Sequence, residues 1–210
     1  IHLYFKPSEV DFLDEYRIRH LVKTYSDHIA FPIHLLNDKN EDEVINSASA
    51  LWMKPKSEIS EKEYEEFYHH LSHMPGKPWM TFHHKAEGNI EYTSLLYVPD
   101  SKPYDLFHPD RKTRIKLYIK RVFIAEEGIN LVPSYLRFLK GIIDSEDLPL
   151  NISRETLQNN AIVNKIRKAV VNKFLRDLKK KAENDKEEFN GRVHSMLQQQ
   201  GHFDTYFDDY

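Results

Sequence analysis

The stretch Asp144-Ser145-Glu146-Asp147-Leu148-Pro149-Leu150-Asn151-Ile152-Ser153-Arg154-Glu155-Thr156-Leu157-Gln158 reads as a tight loop that runs straight into the start of a helix. Ser153 is a good N-cap, because its hydroxyl accepts one of the backbone N–H groups that the first turn leaves unpaired. Arg154 then takes the first helical position. That placement opposes the helix dipole, which disfavours a cation there by ~0.3–1 kcal/mol. A surface ion pair with Glu155 or Asp147 would account for such a residue. So would an anion, since free N–H groups and a guanidinium fork together make a phosphate receiver. The residues alone leave both readings open.

Downstream, Leu157, Ala161, Ile166, Val170, Phe174 and Leu178 recur every four or five residues. They predict one helix of about 25 to 30 residues, roughly 40 Å long. Upstream, Pro133 suits a helical N1 position and Gly141 a C′ position, which frames a helix carrying Tyr135, Leu136, Phe138 and Leu139. Ile115, Leu117 and Ile119 alternate, and the phase shift at Arg121 to Val122 and Ile124 is read as a bulge in one strand. The alternating, aromatic-rich residues 79–84 and 90–98 flank Ala86-Glu87-Gly88-Asn89, a hairpin pattern. Ser60 and Glu63 have capping-box spacing, so a helix is expected over residues 61–73, ended by Met74-Pro75-Gly76. Residues 99–110 read as a long irregular loop. At the front, Ile1, Leu3 and Phe5 suggest a strand, and a helix follows from Ser8 with Phe12, Leu13, Tyr16, Leu21, Val22 and Tyr25 on one face. Residues 31–36 return as a strand, closing a parallel crossover, and 37–46 read as an exposed loop. The fold class is therefore α/β (α+β): an αβα sandwich with a mixed sheet, followed by a long helix and helical extension. The expected division is 1–155 for the sandwich, 156–189 for the extension and 190–210 for a tail of uncertain register.

With 30 Lys and Arg against 33 Asp and Glu, the whole-molecule field does not favour nucleic acid or an anionic membrane. No apolar run reaches the ~20 residues that a membrane span needs. Cysteine is absent, which removes disulfides, thiol catalysis and thiolate metal sites. The sequence opens on Ile1 in mid-pattern and reads as a segment of a longer protein.

Few constellations suggest chemistry. His69 and His73 lie one helical turn apart but have no third ligand in sight, and His83 and His84 on a strand point to opposite faces. No metal site is expected. Trp52, in a small apolar island, is either a core plug or a contact point, with core packing the more frequent outcome. Phe123 carries the same ambiguity. The basic positions Arg111, Lys112, Arg114, Lys116, Lys120 and Arg121 read as a solvated strand edge that discourages aggregation. Glycine-rich phosphate loops, nucleophile elbows and paired catalytic carboxylates are not recognisable.

The run from Ser145 to Glu155, closing on Leu157-Gln158, closely resembles the signature of the heat-shock-protein-90 family of ATP-dependent chaperones in its bacterial form. Further stretches match in order: Asp11-Phe12-Leu13-Asp14-Glu15-Tyr16-Arg17, Tyr25-Ser26-Asp27, Ala50-Leu51-Trp52, Glu91-Tyr92-Thr93-Ser94-Leu95-Leu96-Tyr97 and Lys116-Leu117-Tyr118-Ile119. The resemblance covers residues 1–189. It implies a middle domain working between an N-terminal ATP-binding domain and a C-terminal dimerisation domain, in a cytoplasmic homodimer that binds unfolded client proteins. On that resemblance Arg154 reaches the γ-phosphate of ATP, Gln158 supports it, Phe123 helps dock the N-terminal domain, and Trp52 serves client or interdomain contacts. ATP, with Mg, would be held mainly by the N-terminal domain, and this segment alone would hydrolyse none. Thr156 departs from the family's larger apolar residue, and residues 190–210 follow no pattern of the family. The alternatives are a transducer domain of a type II topoisomerase or mismatch-repair ATPase, or a non-enzymatic client-binding module.

Overall fold

Leu95 and Leu96 are neighbours in sequence, both fully buried, and they face opposite layers of the molecule. Side chains alternate across a strand, so a strand with both residues buried must be covered on both sides. In the computed structural model, which describes residues 4–37, 39–73, 76–108, 110–151, 153–184, 186–194 and 196, that is the arrangement.

The helix α1 (Glu15–Leu21) follows a 3-10 stretch, Pro7–Leu13, and runs into a wide turn at Val22–Ser26. Asp14 caps α1 by accepting from the Arg17 N–H. Strands β1 (His34–Leu36) and β2 (Asp42–Val44) form a small antiparallel hairpin. The expected parallel crossover does not form, and the segment read as an open loop supplies β2. Asn37 explains it: its side-chain oxygen accepts from the N–H groups of Lys39 and Glu41, folding the chain back within a few residues. Tyr4 and Phe5 lie in no strand, and residues 1–3 of the expected first strand lie outside the described residues.

Helix α2 (Glu61–Ser72) starts on the expected capping box, with Ser60 and Glu63 each bonding the other's backbone. The five-stranded sheet comprises β3 (Pro78–Ala86), β4 (Tyr92–Pro99), β5 (Arg114–Ile119), β6 (Val122–Ala125) and β7 (Lys140–Ser145), in the order β3-β4-β7-β5-β6. Only β5 and β7 pair in parallel, so the sheet is mixed, as expected. Two sequence readings are corrected here. The phase shift at Arg121 is a tight hairpin between β5 and β6, with Lys120 and Arg121 both in the left-handed region (φ 49° and 67°). Gly141 is not a helix cap but part of β7: at φ 147° a Cβ would lie 2.2 Å from the Leu95 carbonyl oxygen, so only glycine admits β4 there.

After β7 come α3 (Arg154–Gln158), α4 (Ala161–Asn184) and the short α5 (Lys186–Phe189). The single long helix expected from residue 153 is broken at 159–160, where the Asn160 side chain accepts from the N–H groups of Ile162 and Val163 and starts a second helix. Helix α4 lies along one face of the sheet, with Phe174 edge-to-face on Phe82 (5.6 Å) and Ile166, Val170 and Leu178 in the same core. On the other face α2 and the turn at Trp52 cover Leu95, Tyr97, Tyr118 and Ile142. The result is the αβα sandwich. None of the described helices is long and apolar enough to cross a membrane.

Candidate functional site at the loop between β7 and α3

Strand β7 ends in a buried polar pair, and that pair sets where the following loop begins. Asp144 is 1% exposed, and its carboxylate accepts from the Trp52 indole N–H (2.8 Å) and the Arg121 backbone N–H (3.2 Å). Burial pushes its pKa up to about 6, against the pull of those two donors. Ser145, also buried, turns its hydroxyl oxygen to the N–H groups of Asp147 and Leu148. Asp147 in turn accepts from the Glu91 N–H at 2.6 Å, and Leu148 is buried as an anchor. The loop therefore leaves the sheet with its first turn fully tied.

At the far end the Ser153 hydroxyl accepts from the Thr156 N–H (3.2 Å) and lies 2.6 Å from the Thr156 hydroxyl. Thr156, the departure from the family pattern, thus joins the cap. Leu157 is fully buried and pins α3 to the core. Gln158 donates to the Gly128 carbonyl (2.8 Å), tying the end of α3 to the stretch that follows β6. Arg154 opens α3 as expected. Its side chain lies outside the described residues, as does Ile152.

The remaining expected residues separate into two kinds. Trp52 is 1% exposed, packed on Tyr118 (4.9 Å) and His28 (4.8 Å). It is a core plug, and a partner could touch it only if its cover moved. Phe123 is half-buried between Tyr118 (5.6 Å) and Tyr25 of the N-terminal segment (5.9 Å). Asp144 links the two neighbourhoods, since it holds the Trp52 ring and the hairpin turn that carries Phe123. Sequence reading missed Asp144; the signal was a carboxylate directly after the apolar pair Ile142-Ile143.

Beside Gln158 lies an open cleft of about 540 Å³ lined by Arg111, Lys112, Arg137 and Arg167 among others. The first two were noted in the sequence as strand-edge cations. Arg137 and Arg167 were not. Among the described residues no group of three or more His, Asp or Glu is placed to hold a metal ion.

A three-layer domain with a capped helix start at the end of its central parallel strand is the class of protein this geometry defines, and sequence comparison gives the family. The sequence pattern of the family described as Hsp90 protein matches residues 37–210, and the chain belongs to that family. The chain is 58% identical over 191 residues to "Chaperone protein HtpG" of Rickettsia typhi, covering 90% of this chain and 31% of the relative. It is 56% identical over 189 residues to the protein of the same name from Ehrlichia ruminantium strain Gardel, covering 90% of the chain and 30% of that protein. The chain thus spans about a third of the length of the curated relatives it matches. The family match includes residues 190–210, whose register the sequence reading left open.

Proposed function

We propose that this chain is the middle segment of an ATP-dependent chaperone, and that it presents Arg154 to the γ-phosphate of an ATP held by a separate N-terminal domain. The observation that carries this reading is the fixed seat of α3: Ser153 caps it, buried Leu157 anchors it, and Gln158 ties its end to Gly128. A guanidinium acts on a transferring phosphoryl group only if its backbone is held in register, because most of the effect is electrostatic and position-dependent. The fit to a phosphate is supported by the four cations beside Gln158, with no carboxylate among the cleft's lining residues. ATP supplies the phosphoryl group; this chain's part is to bring positive charge to it and to exclude water from that side. The described residues offer no comparable set for Mg, and no role for the metal is assigned to this chain.

Gln158 is the positioning residue for α3. Phe123 is proposed as the point where the N-terminal domain docks, a role supported by the Tyr25 ring already lying against it. Trp52 is proposed to influence client and interdomain contacts from inside, through Asp144, instead of by direct touch. The reading further includes unfolded client proteins as partners, dimerisation through a C-terminal domain, a cytoplasmic location, and no ATP turnover by this chain alone. Membership of the Hsp90 family takes the place of the topoisomerase and mismatch-repair alternative.

Arg154→Ala in the full-length protein should lower kcat for ATP by about 10³–10⁵-fold, the range for an arginine finger, with little change in nucleotide affinity. An unchanged kcat in that variant would sink the reading.

A further inference from the structure

Strand β7 begins on a buried cation that the proposed phosphate contact does not use. Lys140, Ile142 and Asp144 alternate onto one face of the sheet, the face covered by α2 and Trp52, because successive strand residues point to opposite sides. Lys140 is 6% exposed, and among the described residues its ammonium makes no hydrogen bond or ion pair. A buried charge ordinarily has a partner of opposite sign, since it has been taken out of water. Here the register supplies the reverse: Lys140 lies beside Arg114 of β5 on one side and the fully buried Tyr97 of β4 on the other. Arg111, itself paired with Asp105, is a second cation close enough to act on Lys140, and the opposing pull of Glu126 is the smallest of these influences.

That setting changes the amine. Burial, then Arg114, then Arg111 push the Lys140 pKa down to about 8. At that pH about half of the amine is neutral, against under about 1% for an ordinary lysine. The exposed Lys77 and Lys85 shift the opposite way, raised by their hydrogen bonds to Glu65 and Glu87. A neutral, unpaired amine among cations is suited to a narrow class of electrophile. The reagent must be small and uncharged to pass the opening that 6% exposure leaves. Its adduct should be anionic, because an anion beside Arg114 and Arg111 turns repulsion into attraction. Dissolved CO2 meets both conditions.

We propose that Lys140 is a modification site that takes up CO2 reversibly as a carbamate. The nitrogen lone pair attacks the carbon, a C–N bond forms as one C=O π pair moves onto oxygen, and the nitrogen releases a proton to solvent. The neutral amine and CO2 thus give one carbamate anion and one proton, with nothing oxidised or reduced. The charged form of the side chain changes from plus one to minus one. Arg114, exposed and without a carboxylate partner among the described residues, gains a counter-ion on the neighbouring strand. The site lies wholly within this chain and does not rest on the function proposed above.

The test is carbon-13 NMR of the 210-residue chain equilibrated with labelled CO2 and bicarbonate at about pH 8. A carbamate carbonyl signal is expected in the unaltered chain and should be lost in Lys140→Arg, which keeps the positive charge. The N-terminal amine and the exposed lysines give the same background in both. Arg114→Gln, at an exposed position, should lower the Lys140 signal by about threefold or more, because that cation both keeps the amine neutral and stabilises the anion. Unfolding the unaltered chain in guanidinium should remove the Lys140 signal, and this comparison supplies the background if Lys140→Arg proves unfolded by circular dichroism. The proposal is overturned if the folded chain gives no signal above that background, or if the excess survives unfolding. An unchanged signal in folded Arg114→Gln overturns it as well, since the cations would then have no part in the reaction.

Discussion

Residues 4–36 and the sheet with α4 carry the same kind of pattern, apolar side chains recurring at helical or strand spacing, and they meet opposite fates. In α4, Val163, Ile166, Val170, Phe174 and Leu178 are all buried. In α1 no residue is buried, and Leu13 (58% exposed), Tyr16 (80%) and Phe31 (75%) face solvent. Contact with the rest of the chain is made through a few rings, chiefly Tyr25 on Phe123 and His28 on Trp52, and through hydrogen bonds of Asp27, His28 and Phe31 with residues 46–49. The difference teaches that periodicity records the existence of a face to be covered, and says nothing of whether the cover is in the same segment. Burial at about 25 cal/mol per Å² stabilises the sheet region and is forgone over much of the front segment. The family match begins at residue 37, where the small hairpin is under way and the well-packed region follows.

The sharpest way to break this comparison is a truncation in each region. Phe174→Ala removes a fully buried ring and should cost about 3–5 kcal/mol in urea unfolding, enough to threaten folding. If it cost as little as a surface change, α4 would not be part of the sheet's core.

The second effect is a pH slope. Because burial raises the Asp144 pKa to about 6, its protonated form is the one the fold accommodates better. The folded chain holds that proton up to about pH 6, whereas the unfolded chain releases it near the ordinary carboxylate value of about 3.9. This group's contribution is therefore fully present below the unfolded value and is lost as pH rises through about 6. Buried His83 acts in the opposite sense: burial lowers its pKa, so its contribution falls as pH drops below its unfolded value near 6.5. In Asp144→Asn the opposing carboxyl contribution is gone, and stability measured by urea unfolding between pH 4 and 7 should fall more steeply on acidification than in the unaltered chain. An identical pH profile in the two proteins would remove Asp144 from the account.

The smallest effect should come from the front. Tyr16→Ser is expected to change stability by less than about 0.5 kcal/mol in this chain, read by the same unfolding curves. A loss of several kcal/mol would mean that α1 is covered in solution by something the fold does not display.

Legibility in the sequence followed the range of the interactions. The capping box at Ser60 and Glu63 and the hairpin around Gly88 were readable because both are settled within a few residues. Gly141 was misread because its need for a bare Cα comes from Leu95, across the sheet. The Lys120-Arg121 turn was misread because it lacks the glycine or asparagine that usually marks a left-handed pair, and its support comes from the Asp144 carboxylate and the Ser145 carbonyl. At the site, the cap at Ser153 was legible and the Gln158–Gly128 bond was not, since thirty residues separate its partners. The cationic cleft was half visible for the same reason: Arg111 and Lys112 are adjacent, but only the fold brings Arg137 and Arg167 to them.

Asn160 has one more consequence. By holding the Ile162 and Val163 N–H groups itself, it removes the need for α3 to supply hydrogen-bond acceptors to the first turn of α4. The break works like a firebreak between two stretches of helix. A disturbance in either helix stops at residue 160: α3 is held by buried Leu157 and the Gln158–Gly128 bond and α4 by its own buried face, so a change in α4 is not handed on to the backbone that carries Arg154.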